Sequence, residues 1–570
     1  MKSNKRNPEP AKPVTPPAPP PPAAISWWWS PALAILAVVA YLPALRGPFL
    51  FDDLGLPALR PDGGESLVMY VHRVVRLVTN LSLAFDRIVW DMNPLPYHVQ
   101  NLVLHCVNGW LVFLIVRRLL ARVGAEARAA SLAAFAACSI FLLHPLQTEA
   151  VSYIASRSEV LCALFTYAAI AVFVRKREDG IGWGSAIGIL VLMGLGILSK
   201  EPAVAGIVAI LLIDLLLAEV SPWRAAAANW RLYLPTFAAA GIGGLYALQV
   251  AGREGTAGAL RNVTPLDYLV TQFQVFWIYV RLFLLPFGQN LDHGFPMAKA
   301  PGGIASALGL IGLLALLAGA WRWRRRYPLA SLGVLIFLVL LAPTSSILPI
   351  ADPLVERRVY LGFLGLVLVI AEFAARMTST QFRTAGIGVL AVLLSVFTMN
   401  RNAVYASAQA MWEDSVRGNP TNARSQNQLA YAYYVDGRCA EAAAAYERAM
   451  QSTKADHRTL VDWGLALDCA GKPALAVAKL KEAAARGNHW HAWTTLGMLL
   501  GKQGQTQPAL EALNKAIAIN PGDDNAFAYR GNVRLAAGDK ATAIADFEKS
   551  LQLNPSNAAA RRGIAVAQGQ

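Results

Sequence analysis

Five stretches of this chain place acids and bases where they could do chemistry. The adjacent carboxylates Asp52 and Asp53 follow the first apolar run, in "RGPFLFDDLGLPALR", and His144, Glu149, Arg157 and Glu159 lie between two further runs, in "HPLQTEAVSYIASRSE". Lys200 and Glu201 stand in "SKEPAVAGI", Asp292 and His293 in "NLDHGFP", and Asp352, Glu356, Arg357, Arg358 and Tyr360 in "LAPTSSILPIADPLVERRVYLGFLG". Ionisable groups beside hydrocarbon are costly and are functional candidates by default. A carboxylate with water on one side can take a proton from a hydroxyl, or ligate a divalent metal through oxygen. Asp52, Asp53 and Glu149 are the candidates for either role. An arginine at such a boundary suits a phosphate oxygen through its planar fork. Arg157, Lys200, Arg357 and Arg358 together suit a phosphate-bearing lipid. Each group also has a plainer reading: a turn or helix cap for Asp52 and Asp53, snorkelling and an ion pair with Glu149 for Arg157, a pair with Glu201 for Lys200. The spacing from Glu149 through Ser152, Tyr153 and Ser156 to Arg157 predicts one interfacial helix with these residues on one face.

The elements that must position these groups are membrane helices. The chain has 570 residues, 55% of them hydrophobic, with a mean hydropathy of +0.40, which describes a polytopic membrane protein with a soluble part attached. The net charge of +15 does not point to nucleic acid, because the basic clusters "VRRLLARVGAEAR", "VRKRED" and "WRWRRRY" sit beside apolar runs, as cytoplasmic loops do. Residues 1–24 form a basic, Pro-rich tail that favours polyproline II and stays inside; the run after it opens on a Trp cluster and is retained as the first span. Further apolar runs lie near 99–116, 130–146, 158–174, 181–198, 202–218, 232–250, 266–286, 302–321, 328–348, 354–373 and 383–399. Counting from inside, the Asp52–Asp53 and His144–Glu159 loops fall on the same outer face. If 266–286 crosses, "WRWRRRY" lands outside against the charge rule; if it stays at the outer face, about 11 spans remain and the C-terminal part is external. Five cysteines are too few for a disulfide framework, none stands in a CxxC pair, and Cys106, Cys138 and Cys162 read as apolar filler.

A linker helix over 401–422 leads to a repeat. Asn520-Pro521 and Asn554-Pro555 are 34 residues apart, the period of the tetratricopeptide repeat (TPR). Four copies fit between 423 and 556, with small residues at repeat positions 8 and 20 (Gly464 and Ala476, Gly497 and Ala509, Gly531 and Ala543) and bulky ones at 24 (Leu480, Leu513, Phe547). A capping helix over 557–569 closes the array. In this frame Cys439 and Cys469 face each other across stacked repeats, as a bridge in an oxidising compartment or as two buried thiols.

The stretches "FLFDDLGLPALRPD", "PLPYHVQNLVLHCVNGWLVFLI", "HPLQTEAVSYIASRSEVLCALF", "LSKEPAV" and "LAPTSSILPIADPLVERRVYLGFLG", in this order and ahead of TPRs, resemble the transmembrane and tetratricopeptide repeat-containing (TMTC-like) protein O-mannosyltransferases, of the GT-C class of multi-span glycosyltransferases. The resemblance covers about 45 to 555 and departs at Gln147, where the family's motif has His. It implies an all-α fold: a GT-C-type transmembrane bundle over 25–400, then the TPR solenoid over 423–570. It implies that Asp52 or Asp53 lies at the catalytic centre, and that Glu149 and Arg157, Lys200 and Glu201, and Glu356, Arg357 and Tyr360 match the family's further motifs. The expected activity is inverting transfer of a hexose, by resemblance mannose, from a polyprenyl-phosphate sugar to a protein hydroxyl on the outer face, with the TPR groove holding the acceptor. No cofactor is certain from the sequence, and a divalent metal stays open. Alternatives are transfer to a lipid-linked or surface glycan, and a membrane-anchored TPR scaffold. The scaffold predicts that the external charges all pair off, the enzyme that an unpaired acid faces a cavity. The Ala- and Arg-rich usage points to a bacterial inner membrane, with the TPRs in the periplasm.

Overall fold

The computed structural model describes residues 29–59, 76–217, 224, 227–236, 238, 263–452 and 456–569. The Pro-rich tail and most of the 232–250 run lie outside the described residues. Among the described residues every regular element is helical. The first part comprises α1 (Trp29–Leu45), α2 (Leu77–Trp90), α3 (Pro94–Arg122), α4 (Ala127–Leu143), α5 (Thr148–Ser152), α6 (Arg157–Lys176), α7 (Trp183–Ser199), α8 (Ala205–Leu216), α9 (Pro265–Leu284), α10 (Ile304–Trp323), α11 (Pro328–Leu341), α12 (Val359–Arg376) and α13 (Thr380–Ala403). Then come α14 (Ala408–Gly418), α15 (Ala423–Val435), α16 (Cys439–Ser452), α17 (His457–Cys469), α18 (Pro473–Ala485), α19 (Trp490–Lys502), α20 (Thr506–Ile519), α21 (Asp524–Ala536), α22 (Lys540–Leu553) and α23 (Ala558–Ala567).

Two helix starts show a local cause. Asn93 caps α3 by accepting the Leu95 N–H, with Pro94 at the first helical position; Thr264 and Asp267 form a capping box on α9. Five described helices are long and apolar enough to cross a membrane, six if α4 and the segment Pro145–Ser152, bent by 52°, count as one span. The helices Pro31–Leu45, Trp183–Ser199 and Pro328–Leu341 are apolar but shorter. Helix α9 is not among these spans; it carries Asp267, Gln272, Gln274 and Arg281 along its length. Small residues let helices touch: a Cβ on Gly333 of α11 would meet the Gly365 carbonyl oxygen of α12 at 2.5 Å, the close packing that membrane helices use in place of a hydrophobic drive.

The stretch from Glu149 to Glu159 is not one helix. Tyr153 is extended (φ −90°, ψ 114°), and a 3-10 turn, Ile154–Ser156, separates α5 from α6. The Ala155 N–H is taken by Asp53 Oδ1 at 2.6 Å, a long-range acceptor in place of the helical one. Glu149 and Arg157 therefore share no helical face, and neither is the other's partner.

The C-terminal array stacks four helix pairs, α15–α16 to α21–α22, with α23 behind them. A Cβ on Gly464, Gly497 or Gly531 would meet Leu480 at 2.8 Å, Leu513 at 2.5 Å or Phe547 at 2.6 Å. Ala476, Ala509 and Ala543 are fully buried beside them. Cys439 and Cys469 form a disulfide with Cα atoms 5.5 Å apart.

Candidate active site

The turn Phe51–Gly55 after α1 carries the two aspartates, and it treats them differently. Phe51 is held at φ +41°, a strained conformation for a bulky residue. Asp53 is buried, its carboxylate accepting the Leu50 N–H at 2.8 Å and the Ala155 N–H at 2.6 Å. Burial pushes the Asp53 carboxyl up to about 7 against the pull of those two bonds. Asp52 points outward. Its N–H donates to the Tyr153 hydroxyl at 2.7 Å, while its exposed carboxylate makes no hydrogen bond or ion pair among the described residues.

Asp52 opens onto a cavity of about 820 Å³ that also takes in Lys200, Arg357, Arg358, Arg76, Glu159 and Glu201. Glu149 is buried behind this wall. It accepts the Arg357 N–H at 2.9 Å and Arg357 Nη1 at 2.5 Å, so it fixes that guanidinium from behind. Lys200 pairs with Glu159 from α6. Burial lowers the Lys200 ammonium, and Glu159 acts against that shift. Arg76 reaches Glu201 at 3.4 Å. Arg358 donates to the Tyr268 hydroxyl at 3.4 Å and the Pro353 carbonyl at 3.3 Å and has no carboxylate partner among the described residues. The cavity thus presents one carboxylate and one guanidinium that no described opposite charge neutralises, with further cations held in place by acids.

Other expected site residues are placed elsewhere. Arg157 is wholly buried: it pairs with Asp86 of α2 and donates to Asn101 Oδ1 at 2.8 Å and the Tyr97 carbonyl at 3.0 Å. All three of its guanidinium nitrogens are engaged, so the structure does not bring it to the cavity wall. His144 caps its own turn, its Nδ1 accepting the Leu146 N–H at 3.1 Å and its Nε2 donating to the Phe283 carbonyl at 2.9 Å. Tyr360 is buried against His105 (2.8 Å) and Asn108 (3.0 Å). Glu356 is buried and accepts from Gln289 (2.9 Å), the Asn290 N–H (2.6 Å) and His293 (2.8 Å). Asp292 is gripped by Arg424 of α15 at 2.5 and 2.6 Å; burial raises its carboxyl, but the Arg424 bonds and charge outweigh this and lower it. Glu356 and Asp292 fasten the loops near 290 and 352–358 to each other and to the first TPR.

Asp53 and Glu149 each accept N–H bonds on both carboxylate oxygens, whereas Asp52 does not. Among the described residues no group of three or more His, Cys, Asp or Glu side chains is arranged to hold an ion. Sequence reasoning missed Asp86, Arg76 and Arg424. None stands in a motif; a lone acid inside an amphipathic helix, as Asp86 is on α2, is the one signal that could have drawn attention.

Tetratricopeptide repeat family models match residues 401–456, 491–523 and 530–568. Among curated proteins, protein O-mannosyl-transferase Tmtc1 of Drosophila melanogaster is 31% identical over 201 residues, 32% of this chain and 22% of the fly protein. Protein O-mannosyl-transferase F38B6.6 of Caenorhabditis elegans is 24% identical over 429 residues, 70% of this chain and 59% of the worm protein. Protein O-mannosyl-transferase Tmtc2 of Drosophila melanogaster is 34% identical over 128 residues, 22% of this chain and 13% of that protein. The matches span less than two thirds of each relative's length. With TPRs behind an apolar helical part, the chain is similar over much of its length to proteins named protein O-mannosyl-transferases.

Proposed function

We propose that this protein is a GT-C-type membrane glycosyltransferase that moves mannose from a polyprenyl-phosphate sugar to a hydroxyl of a protein acceptor on the external face. The single observation that carries this reading is the cavity in which the free carboxylate of Asp52 shares a wall with Lys200, Arg357 and Arg358. A scaffold would have paired off all its outward charges.

In this reading Arg358 and Arg357, with Lys200, bind the donor phosphate through charge-assisted hydrogen bonds. Asp52 accepts the proton of a Ser or Thr hydroxyl as its oxygen bonds to the anomeric carbon. The bond from that carbon to the phosphate oxygen breaks, its electron pair leaves on the polyprenyl phosphate, and the arginines stabilise the charge that develops there. One displacement inverts the anomeric centre. Asp53 is a positioning residue that ties the turn to Ala155, and Glu149 is a positioning residue for Arg357. The external side is supported by the Cys439–Cys469 pairing, which suits an oxidising compartment. It is also supported by the packing of the first TPR on the loops that frame the cavity. In a bacterial cell that face is the periplasm.

The test is transfer of labelled mannose from synthetic polyprenyl-phosphate mannose by purified protein in detergent, offered peptides and glycans together. Label on peptide with wild type and none with Asp52→Asn is the expected result. Full activity in Asp52→Asn overturns the base assignment, and label on glycan alone overturns the protein acceptor.

A further inference from the structure

The cavity that holds Asp52 does not stop at Asp52. Phe51, Asp52 and Arg357 also line a second, narrow space of about 50 Å³ on the TPR side of the turn, walled by Trp412 of α14 and by Phe295. Phe51 and Trp412 meet edge to face at 5.1 Å and form its aromatic collar. Arg424 lines this narrow space and also a groove of about 650 Å³ on the face of the first two repeats. Arg458 and Asp462 line that groove and its continuation of about 550 Å³ toward His489, Trp490 and His491. Four spaces are therefore joined in series by shared side chains, from the cation-lined cavity to the third repeat.

We infer that this series is one acceptor track, along which an extended, unfolded polypeptide segment lies on the TPR face and delivers a single Ser or Thr side chain through the Phe51–Trp412 collar to Asp52. The inference rests on the reading that Asp52 serves a hydroxyl acceptor, and it names the form that acceptor takes. Three observations choose an extended chain. The collar space of about 50 Å³ is too small for a folded domain and holds only a few water-sized groups, at roughly 10–15 Å³ each, which is the size of one Ser or Thr side chain. The groove is polar: Asn427, Gln428, Thr459 and Asp462 supply amide, hydroxyl and carboxylate groups, which pair with the free N–H and C=O groups of a chain that has no secondary structure of its own. The buried Oδ1 of Asn427 has no hydrogen-bond partner among the described residues, and Tyr431, one helical turn on, is 51% exposed in the groove, a flat surface for a peptide side chain.

Arg424 sits where the groove meets the collar. It holds Asp292 on one side and Asp352, at 2.8 Å, on the other, and so keeps the first repeat aligned with the membrane-face loops. A folded acceptor domain would have to displace this clamp to reach Asp52, whereas an extended segment passes beside it.

The experiment uses the full chain in detergent with two acceptor probes: a Thr-containing tetrapeptide, and a long unstructured Ser/Thr/Ala peptide with a single Thr near one end and a photo-crosslinker at the other. Expected is a kcat/KM for the long peptide about tenfold above that for the tetrapeptide, equivalent to about 1.4 kcal/mol of added binding. Tyr431→Ala and Asn427→Ala should each raise the KM of the long peptide and remove its advantage, with kcat held. Irradiation of wild type should label α15, α17 or the His489–His491 segment. Equal kcat/KM for the two peptides, or crosslinks only on other surfaces, overturns the track while leaving the transferase reading intact. Crosslinks in the groove without any transfer uphold the track as a peptide site and overturn the transferase reading. Neither crosslinks nor transfer overturns both.

Discussion

The TPR array and the membrane-face site both crowd side chains into small spaces, but they assemble them over different distances along the chain. In the array, Gly497 meets Leu513 and Gly531 meets Phe547, each pair sixteen residues apart on adjacent helices. At the site, Arg357 meets Glu149 across 208 positions and Lys200 meets Glu159 across 41, and away from the cavity wall Arg157 meets Asp86 across 71. The array is held by shape, since a small residue accepts a large one. The site is held by charge, since each buried ion needs a counter-ion to offset its desolvation. Substitutions should therefore break the two regions by different means.

The largest effect belongs to Arg157. Replacing it with Met leaves Asp86 buried and unpaired, which should destabilise the protein by about 3–5 kcal/mol. Adding Asp86→Asn should restore much of that loss in a thermal or detergent-challenge assay. If Arg157 instead held the donor phosphate, Arg157→Met would be a well-folded protein with a raised donor KM, and Asp86→Asn would not rescue it. Next comes Asp52→Asn. Loss of a general base lowers rate by about 10²–10⁴-fold, so kcat should fall in that range with the thermal midpoint close to wild type. A comparable loss of stability would move Asp52 from the chemistry into the architecture.

How far the sequence could be read follows from the same contrast. The period of 34 residues and the small and large residues at fixed repeat positions are local statements, and the structure turns each into a contact: Ala476, Ala509 and Ala543 are buried where the pattern needs small side chains. The apolar runs among the described residues likewise become helices. The site is another matter. Spacing alone put Glu149 and Arg157 on one helix, but three acceptors fifty or more residues away undo that helix. Asp53 takes the Ala155 N–H, and Asn101 and Asp86 draw Arg157 inward. Nothing in "HPLQTEAVSYIASRSE" announces those partners. Residue types singled out Asp52, Lys200, Arg357 and Arg358, which line one cavity; only the tertiary contacts tell the exposed Asp52 from the buried Asp53 beside it.

A middle-sized effect sharpens the shape half of the comparison. Gly497→Val places new carbon atoms against Leu513, whose Cγ would lie 2.5 Å from the added Cβ. Overpacking of this kind costs about 1–3 kcal/mol. It should appear as earlier unfolding of the TPR signal, with binding of polyprenyl phosphate unchanged. A parallel drop in polyprenyl-phosphate binding would mean that the two regions are one cooperative unit rather than two with different supports.

The smallest effect tests the charge half through pH. Burial raises Asp53 from an ordinary carboxyl to about 7, so the folded protein keeps a proton there that the unfolded chain releases at lower pH. Between the two values the native state binds more protons, and stability must fall as pH rises. From about pH 6 to about pH 8 the loss should come to roughly 1 kcal/mol, with most of it complete once the folded value is passed. The check is the wild-type thermal midpoint across that window against Asp53→Asn. The variant lowers the whole curve, because one of the Leu50 and Ala155 N–H groups loses its acceptor, by about 1–3 kcal/mol, but it carries no titrating group and should remove this part of the slope. A slope that persists in Asp53→Asn would place the titration on another buried group, and the turn that presents Asp52 would then be held by an ionised Asp53 throughout.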